Sequence, residues 1–213
     1  MSQENALAPI QELAGTIFSV GHSGHSLDHF LLLLSQHKIE VLVDTRTYPV
    51  SRHCPHFNSE NLQPALAMSG IKYVYMGKEL GGRPSGDHFY DAEGRVLYWR
   101  VAESALFQAG LQRLKNGATQ YRLALMCAEE DPLNCHRRLL VGRVLTSYGY
   151  QLLHIRGSGH TESEEAIGKR GRGRVVQLDM FLRKDDSELW KSTRSVLQKG
   201  QQRSSLVPSK KPR

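Results

Sequence analysis

Five short apolar runs alternate with segments of helical periodicity over the first three quarters of the chain. Residues 17–21, 39–44, 71–76, 121–127 and 150–155 are rich in aliphatic and aromatic side chains and predict five strands. Ser26 is a candidate N-cap for a helix carrying Phe30, Leu31 and Leu34. A second helix is expected over 59–69, capped by Ser59, with Leu62, Ala65 and Leu66 on one side. Phe107, Leu111 and Leu114 keep helical spacing, and Leu139, Leu140, Val144 and Tyr148 mark the inner face of a helix that opens on Cys135-His136-Arg137. Strands alternating with helices imply right-handed crossovers, hence an α/β fold: a mostly parallel five-stranded sheet with helices on both faces. The stretch 77–96 is too long for a plain connector and holds Gly81, Gly82, Gly86 and Gly94, which marks a functional loop.

Composition divides the chain. Of 213 residues, 39% are hydrophobic and 23% charged, as in an ordinary globular domain. Residues 168–213 carry 13 Lys and Arg against 4 Asp and Glu, whereas the residues before them carry 15 against 17. The expected organisation is a flexible N-terminus over 1–15, an α/β domain over 16–157, and a basic, largely flexible tail over 158–213. A further short helix is expected at 185–198, with Leu189, Trp190 and Leu197 on its apolar side. The tail either meets nucleic acid through its phosphates or keeps the chain soluble. No run is long and apolar enough for a membrane span, residues 1–15 lack signal-peptide order, and the three cysteines give no disulfide framework. A cytoplasmic protein with free, catalytic or metal-binding thiols is expected.

Parallel strands share one rim at their carboxyl ends, and polar residues gather there. The first strand ends Gly21-His22-Ser23, the second Asp44-Thr45-Arg46, the fourth Cys127-Ala128-Glu129 and the fifth His154-Ile155-Arg156. Such convergence is what an active site needs. His22, Asp44, Cys127, Glu129, Cys135 and His136 are therefore the candidate catalytic residues. Ser23, Arg46, Ser51, Arg52, Gly81, Gly82 and Arg137 are the candidate substrate-binding residues, because guanidinium forks suit phosphate or carboxylate. Phe57 could stack on a base. The bland alternatives are an Asp44–Arg46 ion pair stiffening its loop and a buried, satisfied His22.

The motifs Gly21-His22-Ser23, Asp44-x-Arg46-x-x-Pro49-x-Ser51-Arg52, Leu80-Gly81-Gly82 and Cys127-Ala128-Glu129 with Cys135-His136-Arg137 resemble the bacterial domain family of unknown function numbered 488, over about residues 16–157. Asp44-Thr45-Arg46 departs slightly from the Asp-Val-Arg more often met in that family. The resemblance implies an α/β sheet domain with the motif residues clustered, and it leaves the reaction open.

Three chemistries fit these residues. Cys135 could act as a nucleophile beside His136 and Arg137. Asp44 or Glu129 could serve as nucleophile or general base with His22 as partner. Cys127, Cys135, His136 and His22 have the right donor types for zinc, but no paired-ligand spacing is present, so no cofactor is expected.

In the tail, Gln177-Leu178-Asp179-Met180-Phe181 resembles the pentapeptide with which many bacterial repair and polymerase proteins bind the replication sliding clamp. Leu178 and Phe181 would fill apolar pockets, and Gln177 would supply hydrogen bonds. The leading expectation is thus a DNA- or nucleotide-directed enzyme of hydrolase or base-processing type, with DNA or nucleotide and the sliding clamp as partners and no membrane. The alternatives are a cysteine-dependent enzyme on a small anionic metabolite and a non-catalytic nucleotide-binding adaptor.

Overall fold

A computed structural model describes residues 15–171 and 190–196 of the chain. Strands β1 (Gly15–Gly21), β2 (Val41–Asp44), β3 (Lys72–Tyr75), β4 (Leu123–Cys127), β5 (Tyr150–Ile155) and β6 (Thr161–Ser163) form one sheet in the order β3-β2-β4-β1-β5-β6. Every pair is parallel except β5–β6. The helices are α1 (Leu27–Gln36), α2 (Ser59–Met68), α3 (Gly77–Leu80), α4 (Tyr98–Glu103), α5 (Ala105–Ala118), α6 (Arg143–Ser147) and α7 (Glu164–Gly171). Among the described residues, no helix is long and apolar enough to cross a membrane.

The central strands are apolar on both faces because both faces are covered. Ile17, Val41, Val43, Leu123, Leu125 and Leu152 point to one layer, with Phe107, Leu111 and Leu114 of α5 and Leu140, Val144 and Leu145. Phe18, Val20, Leu42, Ala124 and Met126 point to the other, with Phe30, Leu33 and Leu34 of α1 and Leu62 and Leu66 of α2. Each fully buried side chain of this kind contributes about 1.5–3 kcal/mol.

This division positions the site. The helices after β1 and β2 pack on one face, while the helical segment after β4 packs on the other. β4 lies between β1 and β2. The connections therefore diverge around the carboxyl end of β4, and that divergence opens the crevice in which open α/β sheets bind ligands.

Several expectations are corrected. The sheet has six strands, since β6 folds back antiparallel on β5. Packing continues past residue 157 through β6 and α7, where Ile167 is fully buried. Residues 190–196 form an isolated bridge followed by a bend rather than a helix: Lys191 bridges Leu97, and Val96 N–H donates to Ser192 Oγ. Trp190 anchors them by burying its indole and donating its N–H to Leu139 O at 2.6 Å. Ser26 does cap α1, accepting from His29 N–H. Asn58, not Ser59, precedes α2, with no side-chain cap bond. Tyr148 faces outward. The 77–96 stretch contains α3 and a 3₁₀ turn at Asp87–Phe89.

Candidate functional site

The crevice is a cleft of about 400 Å³, within the usual range of small-molecule sites. Its lining includes Cys127, Ala128, Glu129 and His136 from the β4 side, Tyr48 and Ser51 from the loop after β2, Gly82 and Arg83, and Ser192–Val196 from the anchored C-terminal segment.

Two polar groups stand at the ends of neighbouring strands. The first belongs to β1 and β2. Asp44 is wholly buried, and its carboxylate accepts from Arg46 Nε and Nη2 (2.6 Å for the latter), from Arg46 N–H and from Tyr73 Oη. The remaining reach of Arg46 goes to Phe57 O and His22 Nε2. Since Arg46 can only donate, His22 Nε2 accepts and its Nδ1–H donates to Ser23 O. The His22 ring stacks on Phe57 at 4.4 Å. Burial, then the Arg46 charge, lowers the His22 pKa to about 4, so the ring is neutral at pH 7. Every polar atom here has an internal partner, as a buried charged group requires.

The second group follows β4. Cys127 ends the strand, Glu129 rises from the loop, and a 3₁₀ turn (Pro132–Asn134) leads to Cys135 and His136, after which the chain winds as a π-helix over Arg137–Gly142. Such π turns often accompany functional sites. Cys127 Sγ and Cys135 Sγ lie 2.9 and 3.1 Å from the same Glu129 Oε2. His136 Nδ1 is 3.5 Å from Cys127 Sγ and 4.0 Å from Cys135 Sγ. His136 Nε2 lies 3.0 Å from Thr45 O, and a carbonyl can only accept; a proton is therefore on Nε2, and Nδ1 faces the sulfurs.

Burial of Cys135 raises its pKa, but the Cys127 thiol, Arg137 and His136 outweigh burial and hold it well below the ordinary value. Cys127 is pushed well above, by its bond to Cys135 and then by burial. Burial lowers His136, yet Cys135 and Glu129 more than reverse this and raise it.

Arg137, expected to bind substrate, is wholly buried. It donates to Ser19 Oγ, Glu129 O and Glu130 O, and so fixes the loop that presents Glu129. Ser19 in turn contacts His154 Nδ1 at 2.6 Å, and His154 Nε2 meets Glu164 at 2.7 Å. The order imitates a Ser-His-acid relay, but Ser19 and His154 are fully buried and Ser19 Oγ is engaged by Arg137. It is a brace beneath the sheet edge.

Glycines let the loops approach. A Cβ on Gly21 would lie 1.9 Å from Glu129 O, and one on Gly82 would lie 2.7 Å from His136 Cγ. Gly81 is crowded by Gly77 O and Thr47 Oγ1. Gly81 and Gly82 thus let their loop close on Thr47 and His136, and Gly82 also lines the cleft. Ser23 adopts φ 42°, and its backbone N–H pairs with Ala128 O, extending the β1–β4 ladder up to the site. Ser51 lines the cleft, where its Oγ accepts from Cys54 N–H. Arg52 is exposed and outside the lining. Phe57 is buried against His22 and Phe30 and presents no face to the cleft. Gln177, Leu178, Asp179, Met180 and Phe181 lie outside the described residues.

Sequence reasoning missed Tyr48, Arg83 and Arg194. Tyr48 is 62% exposed at the cleft, and Arg83 and Arg194 are exposed cations whose guanidiniums meet no carboxylate among the described residues. Arg83 directly follows the Gly81-Gly82 pair, a usable signal. Arg194 reaches the cleft through the Trp190 anchor, which no local pattern announces.

An open parallel sheet with a thiol–carboxylate–imidazole group at its switch-point crevice defines an α/β domain built around a site. The chain belongs to the family described as "Domain of unknown function DUF488", whose model matches residues 26–144. The match spans Asp44 through Arg137 and starts just after Gly21-His22-Ser23. No curated protein and no solved structure matches the chain.

Proposed function

We propose that this chain is an enzyme acting on a nucleotide-like anion, free or within DNA, with hydrolysis or group transfer as the reaction class. The observation that carries this reading is the pairing, around one cleft, of an exposed aromatic face (Tyr48) and two exposed arginines without a carboxylate partner among the described residues (Arg83, Arg194) with the Glu129–His136 end of the β4 cluster. Aromatic faces stack bases, and arginines hold phosphates. Glu129 is the exposed carboxylate of the group and the natural general base or nucleophile. Cys135 is almost wholly buried and does not line the cleft, which argues against a nucleophilic role for it. The basic residues of 168–213 would add salt-dependent affinity for DNA, and the pentapeptide at 177–181 would tether the chain to the sliding clamp.

Fluorescence anisotropy with labelled oligonucleotides, competed by nucleoside monophosphates, tests the substrate class. Binding that falls with salt and weakens in Arg83→Ala and Arg194→Ala supports it. Turnover of damaged-base, abasic and nucleotide substrates, followed by mass spectrometry and abolished in Glu129→Gln, tests catalysis. Binding that persists with no turnover on any substrate favours an adaptor. Equal binding of the purified clamp by native chain and the Leu178→Ala/Phe181→Ala double variant removes the tether.

A further inference from the structure

We infer that Cys127, Cys135 and His136, with Glu129 as a fourth and exchangeable ligand, bind a zinc-class divalent ion at the floor of the cleft. The four ligand atoms, two Sγ, one Nδ1 and one carboxylate oxygen, all lie within 4.8 Å of one another. Zinc held at about 2.3 Å from sulfur and about 2.0–2.1 Å from nitrogen or oxygen sets its ligand atoms roughly 3.3–3.8 Å apart. Of the sulfur-to-nitrogen separations, 3.5 Å falls within that spacing and 4.0 Å just above it, while the sulfur-to-oxygen separations of 2.9 and 3.1 Å need the carboxylate to draw back by a few tenths of an ångström.

Both thiols lie against the single oxygen Glu129 Oε2, and His136 Nδ1 faces both sulfurs while its Nε2–H is spent on Thr45 O, so four donor atoms converge on one small space. The Thr45 contact is the outer-shell bond that orients a metal-binding histidine. Two soft sulfurs with one imidazole select zinc over hard, oxygen-seeking cations such as magnesium or calcium. The surroundings hold these ligands in place: Gly82 backs the His136 ring, and Arg137 donates to the carbonyls of Glu129 and Glu130.

The assignment differs from the zinc set considered from sequence. Glu129 joins and His22 leaves, because His22 spends both ring nitrogens on Ser23 and Arg46. Glu129 is the exposed member, so its position is the one that can open toward the cleft. The inference deepens the catalytic reading above and rests on it only for the chemistry the ion would serve.

Metal content needs no substrate, so the two fail separately. The full chain, purified without chelator and dialysed against zinc and then against metal-free buffer, is measured by plasma mass spectrometry. One tightly held zinc per chain is expected, falling to background in Cys135→Ser and His136→Ala and retained, more weakly, in Glu129→Gln. Cobalt(II) exchanged into the native chain should give thiolate charge-transfer absorption and the intense visible bands of tetrahedral coordination; this holds the test open should a variant misfold. Native chain that retains no zinc and gives no such cobalt spectrum overturns the assignment. So does a Cys127–Cys135 disulfide in its place, or zinc that persists undiminished in folded Cys135→Ser and His136→Ala.

Discussion

Asp44, Arg46 and His22 stand at the ends of β2 and β1, while Cys127, Glu129, Cys135 and His136 follow the strand between them. As sequence the two groups look equally reactive: each pairs a carboxylate with an imidazole close to arginine. Their bonding differs. In the first, each donor meets an acceptor inside the group or on nearby backbone, and Asp44 is sealed from solvent. In the second, two sulfurs and an imidazole nitrogen gather around one oxygen of Glu129, and Glu129 stays exposed at the cleft. A sealed polar network holds loops in place, whereas a cluster of soft and basic donor atoms that opens on a cleft has capacity for a ligand.

The largest effects separate the groups most sharply. Asp44→Ala strands a buried guanidinium and should cost about 3–5 kcal/mol in equilibrium denaturation. Glu129→Gln should change stability by no more than about 1 kcal/mol while lowering turnover about 10²- to 10⁴-fold. If Glu129→Gln unfolds the chain and Asp44→Ala merely inactivates it, the roles are reversed. Gly21→Ala tests the support of the second group. Its new methyl meets Glu129 backbone, which cannot yield as a side chain would, and a cost of about 1–3 kcal/mol is expected, with turnover falling as the loop shifts.

Acid sensitivity probes the first group. His22 is neutral when folded, with a pKa of about 4 against 6.5 unfolded. Between those values the unfolded chain binds more protons, so stability drops as pH falls through that window. His22 should account for a loss on the order of 3 kcal/mol from pH 7 to below 4. Denaturation of native chain and His22→Gln across this range compares slopes; equal slopes would show that His22 is solvated. The smallest effect on the fold is expected from Tyr48→Ala, within about 0.5 kcal/mol. The same change should weaken nucleotide binding by about 1–3 kcal/mol if Tyr48 stacks on a base.

Much of this architecture was legible in the chain. Five strands follow from their apolar runs, and the rim follows from parallel pairing, because the side chains that decide these things lie close in sequence. The residues at the end of β4 were found for the same reason. What stayed hidden was bonding at a distance. Arg46 and Arg137 read as anion binders until their partners, Asp44, Phe57 O, Glu129 O and Glu130 O, are known. The expected Asp44–Arg46 ion pair, the blander possibility, is the one that forms. β6 is only three residues long and carries no apolar alternation, so it gives no strand signal. Residues 185–198 look helical by spacing, yet within their described part, 190–196, Trp190 and Ser192 find partners on Leu139 and Val96 that hold the chain in a bridge and a bend.

A crystal soaked with a nucleoside monophosphate tests the contrast between the two groups most directly. Phosphate density on Arg83 and Arg194, with the base against Tyr48 and the sugar above Glu129, is the predicted result. A phosphate seated instead on Arg46 or Arg137, with Asp44 or the Glu129–Glu130 carbonyls displaced from them, would contradict the assignment of those arginines to the scaffold.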